Sequence, residues 1–130
     1  MADKAEPIRI HRIFTGEDGK SRMEEVEIDM EELGSGRGSV SKLFSGTGVI
    51  IRTAPPDMFS DWHNAPRRQL IATIAGEAEL ETGDGQVLHI KPGTIELVED
   101  TTGIGHITRG RGTQTRVYLF LPVDEETLPG

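Results

Sequence analysis

The sequence predicts an all-β domain, a sandwich or barrel of short strands, on three observations. Sixteen glycines and seven prolines break the chain at short intervals. No segment between the breaks sustains an apolar face at helical spacing. Most of those segments alternate apolar and polar residues with a period of two.

The elements follow in order. IRIHRIFT (8–15) alternates and ends at GEDG, a turn by composition. SRMEEVEIDMEEL has some helical character, but Val26, Ile28 and Met30 separated by acidic residues favour a strand over 22–30. LGSGRGSVSKLFSGTG (33–48) is rich in Gly and Ser and predicts a long loop. TGVIIRTA (47–54) stops at Pro55-Pro56, and QLIATIAG and EAELET meet at Gly76-Glu77. GDG (83–85) is the strongest hairpin signal, followed by QVLHIK, TIELVE, a Gly-rich loop, HITR and RVYLFL. The tail DEETLPG reads as a short helical turn or a frayed end. Parallel βαβ units are excluded because there is no room for crossover helices.

The 130 residues suit one domain over 1–130, with N-terminal strands in 1–32, a core over about 45–122 and a tail at 123–130. Acidic residues outnumber basic ones 22 to 14, giving a net charge of -8. That balance excludes nucleic-acid partners, which need clustered Lys and Arg, and anionic membrane surfaces. The chain has no cysteine, so disulfides, thiolate metal sites and thiol nucleophiles are excluded. It shows no N-terminal apolar leader and no apolar run near the ~20 residues of a membrane span, so a cytoplasmic domain is expected.

Two stretches concentrate polar chemistry. SDWHNAPRRQLIATIAG (60–76) carries a Trp, a His, two Arg and a Gln ahead of a strand, and EDTTGIGHITRG (99–110) carries Glu99, Asp100 and His106. If one strand runs through Pro66, then His63, Ala65, Arg67, Gln69, Ile71 and Thr73 share a face, with Trp62, Asn64 and Arg68 opposite.

In these stretches the chain resembles a small single-domain cupin. The first cupin motif runs G-x5-H-x-H-x(3,4)-E-x6-G, and counting back from Gly76 puts Gln69 at its Glu, Ala65 at its second His and His63 at its first. The second motif, P-x-G-x2-H-x3-N, is similar to TTGIGH, with Thr101 at the Pro, His106 at the His and Gly110 at the Asn. KPGT (91–94) resembles the turn that precedes it, about two residues too far away. The resemblance covers about residues 45 to 122. It implies a jelly-roll β-barrel, and a homodimer in which the N-terminal strands (8–15, 22–30) cover an exposed edge. It also implies a site in which three His and a Glu hold Fe, Mn, Ni or Zn, of which this chain keeps only His63 and His106.

Two imidazoles and a neutral amide oxygen make a poor ligand set for a first-row divalent metal. An inward Arg67 would oppose a metal further, whereas Glu96, Glu99 or Asp100 could supply a carboxylate. The expectation is therefore no cofactor, with a divalent metal at His63, Gln69 and His106 as the alternative. Without a metal, His63 and His106 suit acid/base work, and Arg67, or Arg68 if the phase slips, suits a ligand carboxylate. Gln69, Trp62, Thr73, Glu99 and Asp100 complete the candidate ligand-binding set.

The resulting expectation is a small-molecule-binding domain for a carboxylate or carbonyl compound, with metal-free acid/base chemistry. Its alternatives are a metal-dependent dioxygenase, isomerase or lyase, and a non-catalytic sensor. Each residue also has a plainer role: histidines bonded to carbonyls, arginines in surface ion pairs, Trp62 in a core or dimer contact, and loop residues in local turns. His11 and His89 fall outside the site.

Overall fold

The computed structural model describes residues 4–124, which form eleven β-strands and no helix. They are β1 (Lys4–Thr15), β2 (Ser21–Glu32), β3 (Ser39–Val40), β4 (Ile50–Ala54), β5 (Phe59–His63) and β6 (Gln69–Ala75). The chain continues through β7 (Glu77–Glu81), β8 (Val87–Ile90), β9 (Ile95–Val98), β10 (His106–Arg111) and β11 (Arg116–Pro122). The expectation for DEETLPG lies almost wholly outside the described residues. No described helix is long and apolar enough to cross a membrane.

The strands form two sheets. One has seven strands in the order β3-β2-β1-β9-β6-β11-β4, and the other has four in the order β5-β10-β7-β8. The main core lies between them, with Ile13, Ile71, Tyr118 and Phe120 from the larger sheet against Leu80, Leu88 and Ile90 from the smaller. Burying each such aliphatic side chain is worth about 1.5–3 kcal/mol. A second apolar cluster (Ile10, Ile28, Met30, Leu97, with Phe44 and Leu70 against it) covers the other face of the larger sheet. Strand β9 therefore has no solvent face: Leu97 and Val98 are both buried, on opposite sides.

The turns follow their chemistry. Strands β7 and β8 form the hairpin marked by GDG, closed by Thr82 N–H donating to Gln86 O at 2.9 Å. Between β6 and β7 the chain crosses from one sheet to the other at Gly76, whose φ is +79°. A side chain there would also meet Arg116 Cα at 2.5 Å, so glycine is required twice over.

Three differences from the sequence expectations bear on the site. The strand does not run through Pro66: β5 ends at His63 in the smaller sheet and β6 begins at Gln69 in the larger one. Pro66 has no N–H to offer a ladder and restricts Ala65 before it, while Arg67 and Arg68 favour solvent and a salt bridge. The 33–48 segment is not all loop, because β3 pairs with the end of β2. Strand β1 is not an edge, since it lies between β2 and β9 and pairs with β9 in parallel. That parallel pair is joined by the rest of the domain instead of by a helix.

Candidate functional site

The two polar stretches meet. Strand β5 pairs with β10, with His63 opposite His106, and the two rings are 4.5 Å apart at 58°. The loops that follow and precede them are tied together. Ala65 N–H donates to Asp100 O at 3.1 Å, and Asn64 Nδ2 donates to Thr102 O and Gly103 O at 2.9 and 3.0 Å. Gly105 makes the close approach possible, since a Cβ there would lie 1.9 Å from His63 O.

Each histidine is held through Nδ1. His63 Nδ1–H donates to Asp61 O at 2.7 Å, and a carbonyl can only accept, which fixes the tautomer. His106 Nδ1–H donates to Asp100 Oδ2 at 2.5 Å inside the protein, where both side chains are buried. In both rings Nε2 has no partner among the described residues. A carboxylate-oriented imidazole with an unoccupied Nε2 is the arrangement a general base needs.

Both rings line a cavity of about 170 Å³ between the sheets. That is smaller than the roughly 300–1,000 Å³ of sites for drug-sized ligands, so it suits a small molecule. Gln69, 1% exposed, contributes to the same wall. Its Oε1 accepts from Arg67 Nη1 at 3.0 Å, so its amide N–H groups are the ones left for the cavity.

Sequence reasoning offered Glu96 on β9 only as a carboxylate for a metal, and missed the other polar groups of the cavity, among them Arg116 and Tyr118 on β11, Thr108 on β10 and Arg52 on β4. Glu96 is 1% exposed, and its Oε2 is buried without a hydrogen bond. Burial pushes its carboxyl up to about 8, against the pull of the Arg116 guanidinium. It is therefore mainly protonated at neutral pH. Arg116 is itself buried, donating Nε and Nη2 to Thr73 Oγ1 at 3.2 and 3.0 Å, with its guanidinium 3.9 Å from the Tyr118 ring centre. The available signal was parity. Glu96 shares its face with Val98, and Arg116 shares its face with Tyr118 and Phe120, all of them on the core side.

The remaining predicted residues are placed apart from the cavity wall. Arg67 is exposed and reaches the site only through Gln69. Glu99 bonds both Arg12 and Arg68, linking β1 to the chain before β6. Asp100 touches His106 and not the cavity, Thr73 holds Arg116 from beneath, and Trp62 is 42% exposed. His89 pairs with Glu77 on the surface.

This donor set does not fit a resident metal. Among the described residues no three His, Asp or Glu side chains gather to hold an ion. Gln69 Oε1 is occupied by a guanidinium, and Asp100 and Glu99 are engaged elsewhere. Metal ligands must be deprotonated and free.

The fold and site define an all-β, two-sheet domain with a small cavity of mixed polar and apolar lining between its sheets. No protein-family model matches the chain, and no curated protein matches it in sequence. Among solved structures it is similar to a Salmonella typhimurium LT2 protein described as a candidate ethanolamine utilization protein Q. The two share 14% identity over 92% of this chain and 100% of that one, with a TM-score of 0.44. A likeness at that level carries no functional information.

Proposed function

We propose that the protein binds a small organic molecule between its sheets and moves a proton on it, with His106 as base and Glu96 as acid. The observation that carries this reading is the Asp100–His106 pair, which leaves Nε2 of a fixed ring unoccupied beside a small cavity. Glu96 supports it as a buried carboxyl held protonated at neutral pH on the facing sheet. Two groups with displaced or fixed proton states in one cavity are the usual composition of an acid/base site. The motif resemblance to cupins favours small-molecule binding as well.

In this reading a carbonyl compound or carboxylic acid enters past His63. The Gln69 amide donates to a ligand oxygen, His106 Nε2 accepts a proton, and Asp100 stabilises the imidazolium that forms. Glu96 delivers a proton to the opposite side of the ligand.

A thermal-shift screen of small organic acids and carbonyl compounds tests this on wild type, His63→Ala and His106→Asn. The Asn amide can keep the bond to Asp100 while removing Nε2. The expected result is ligand stabilisation in wild type that His106→Asn abolishes. If neither substitution alters any ligand response, the histidines are structural and the reading fails.

A further inference from the structure

The cavity has a second chemical end. Gln69 and Thr73 lie on one face of β6, four residues apart, which at a strand rise of ~3.3 Å is about 13 Å. His63, His106 and Gln69 cluster at the first end. Arg116 and Tyr118 lie at the Thr73 end, since Tyr118 pairs with Thr73 and Arg116 bonds its hydroxyl. Glu96, paired with Ile71, stands between the two.

Two guanidinium groups converge at that second end. Arg116 lies 3.9 Å and Arg52 5.6 Å from the Tyr118 ring centre, and Arg52 lies 5.0 Å from that of Phe120. Neither makes a salt bridge among the described residues, in a chain with eight more carboxylates than basic groups. Arg116 Nη1 has no partner at all among those residues. Two like charges held together, one of them buried, are costly unless something compensates. The Tyr118 face offsets part of that cost. Glu96 attracts Arg116 and offsets another part, and its Oε2 is buried and unpartnered beside the same cavity.

Resting on the proposed function, we infer that Arg116 and Arg52 form the anion-recognition end of the cavity, and that the ligand is a small carboxylate. Its carboxylate takes the open Nη1 edge of Arg116, and its reacting carbon lies toward His106. The guanidinium fork matches a carboxylate edge to edge. The neutral Glu96 carboxyl donates to the ligand's oxygen without adding a repelling charge. A cavity of about 170 Å³, below the roughly 300–1,000 Å³ of drug-sized sites, suits an acid of a few carbons.

Wild-type protein titrated with pyruvate, pyruvamide and inorganic phosphate tests this, read by calorimetry and by the NMR signals of the Arg116 Nε–H and His106 ring. Pyruvate is expected to bind at least tenfold tighter than pyruvamide and to move both signals. Arg116→Met is expected to lower pyruvate affinity to that of pyruvamide, with pyruvamide still moving His106. Arg52→Met, at an exposed position, should reduce the preference for pyruvate even if Arg116→Met does not fold. Equal affinities for pyruvate and pyruvamide would overturn the carboxylate assignment and leave the proton-transfer site standing. A preference for phosphate would overturn it too, and no movement of His106 with any probe would overturn both.

Discussion

Asp100 Oδ2 accepts a 2.5 Å hydrogen bond from His106 Nδ1, the one side-chain partner Asp100 has among the described residues, where its Oδ1 is buried and unbonded. Removing the imidazole leaves a buried carboxylate with no side-chain donor, a loss of about 3–5 kcal/mol by comparison with other broken buried pairs. Removing His63, whose Nδ1 bonds an exposed backbone carbonyl, is expected to cost about 1 kcal/mol. Urea denaturation of His106→Ala and His63→Ala separates the two. Equal costs would mean that the Asp100 bond does not hold the ring.

Glu96 makes stability depend on pH in a defined direction. Its folded-state pKa is raised from 4.5 to about 8, first by burial, with Arg116 opposing. Arg116 and Arg52 are the cations around it, with Tyr118, His106 and His63 the other titratable groups of the cavity wall. Between those values the unfolded chain releases the proton and the folded chain keeps it. The stabilisation is thus complete below pH 4.5 and is lost as pH rises toward 8, at up to about 1.4 kcal/mol per pH unit. Glu96→Gln, which cannot ionise, should gain on wild type across this window. A stability difference between the two that stays flat from pH 5 to 8 would contradict the assignment.

Gly105 sets the distance between the two histidines. With φ at +78° and a virtual Cβ 1.9 Å from His63 O, any side chain must push β10 away from β5. Gly105→Ala is expected to cost about 1–3 kcal/mol and to lower ligand affinity as His106 shifts. Melting temperature and calorimetry read the two effects, and an unchanged melting temperature would show that the approach is not tight.

Metal content follows from the donor set. Protein purified without a His-tag and without added metal should contain no stoichiometric Fe, Mn, Ni or Zn, because Gln69 Oε1 serves Arg67 and no three His, Asp or Glu side chains gather among the described residues. One equivalent of any of these ions would show that His63 and His106 rearrange around a metal.

Much of the fold was legible because the chain punctuates it. The alternation in β1, β6 and β7 and the GDG hairpin could be read directly. The pairing of His63 with His106 was legible only as two motif positions. What remained hidden depends on which sheet a strand joins, and periodicity does not report that. A shared face for His63 to Thr73 depends on one strand running through Pro66, yet there the chain leaves the smaller sheet and enters the larger one, which turns Arg67 outward. Glu96 was weighed only as a metal ligand, because TIELVE shows no solvent face from which to judge its burial. Arg116 opens an apolar strand where a surface cation would look the same.

The most direct test is the nitrogen spectrum of the two imidazoles at pH 8, where an ordinary histidine is neutral, before and after adding pyruvate. The structure predicts that both rings carry their proton on Nδ1, and that pyruvate moves the unprotonated Nε2 signal of His106. A proton on His106 Nε2, or an Nε2 signal indifferent to every small acid and carbonyl compound, would contradict the proposed site.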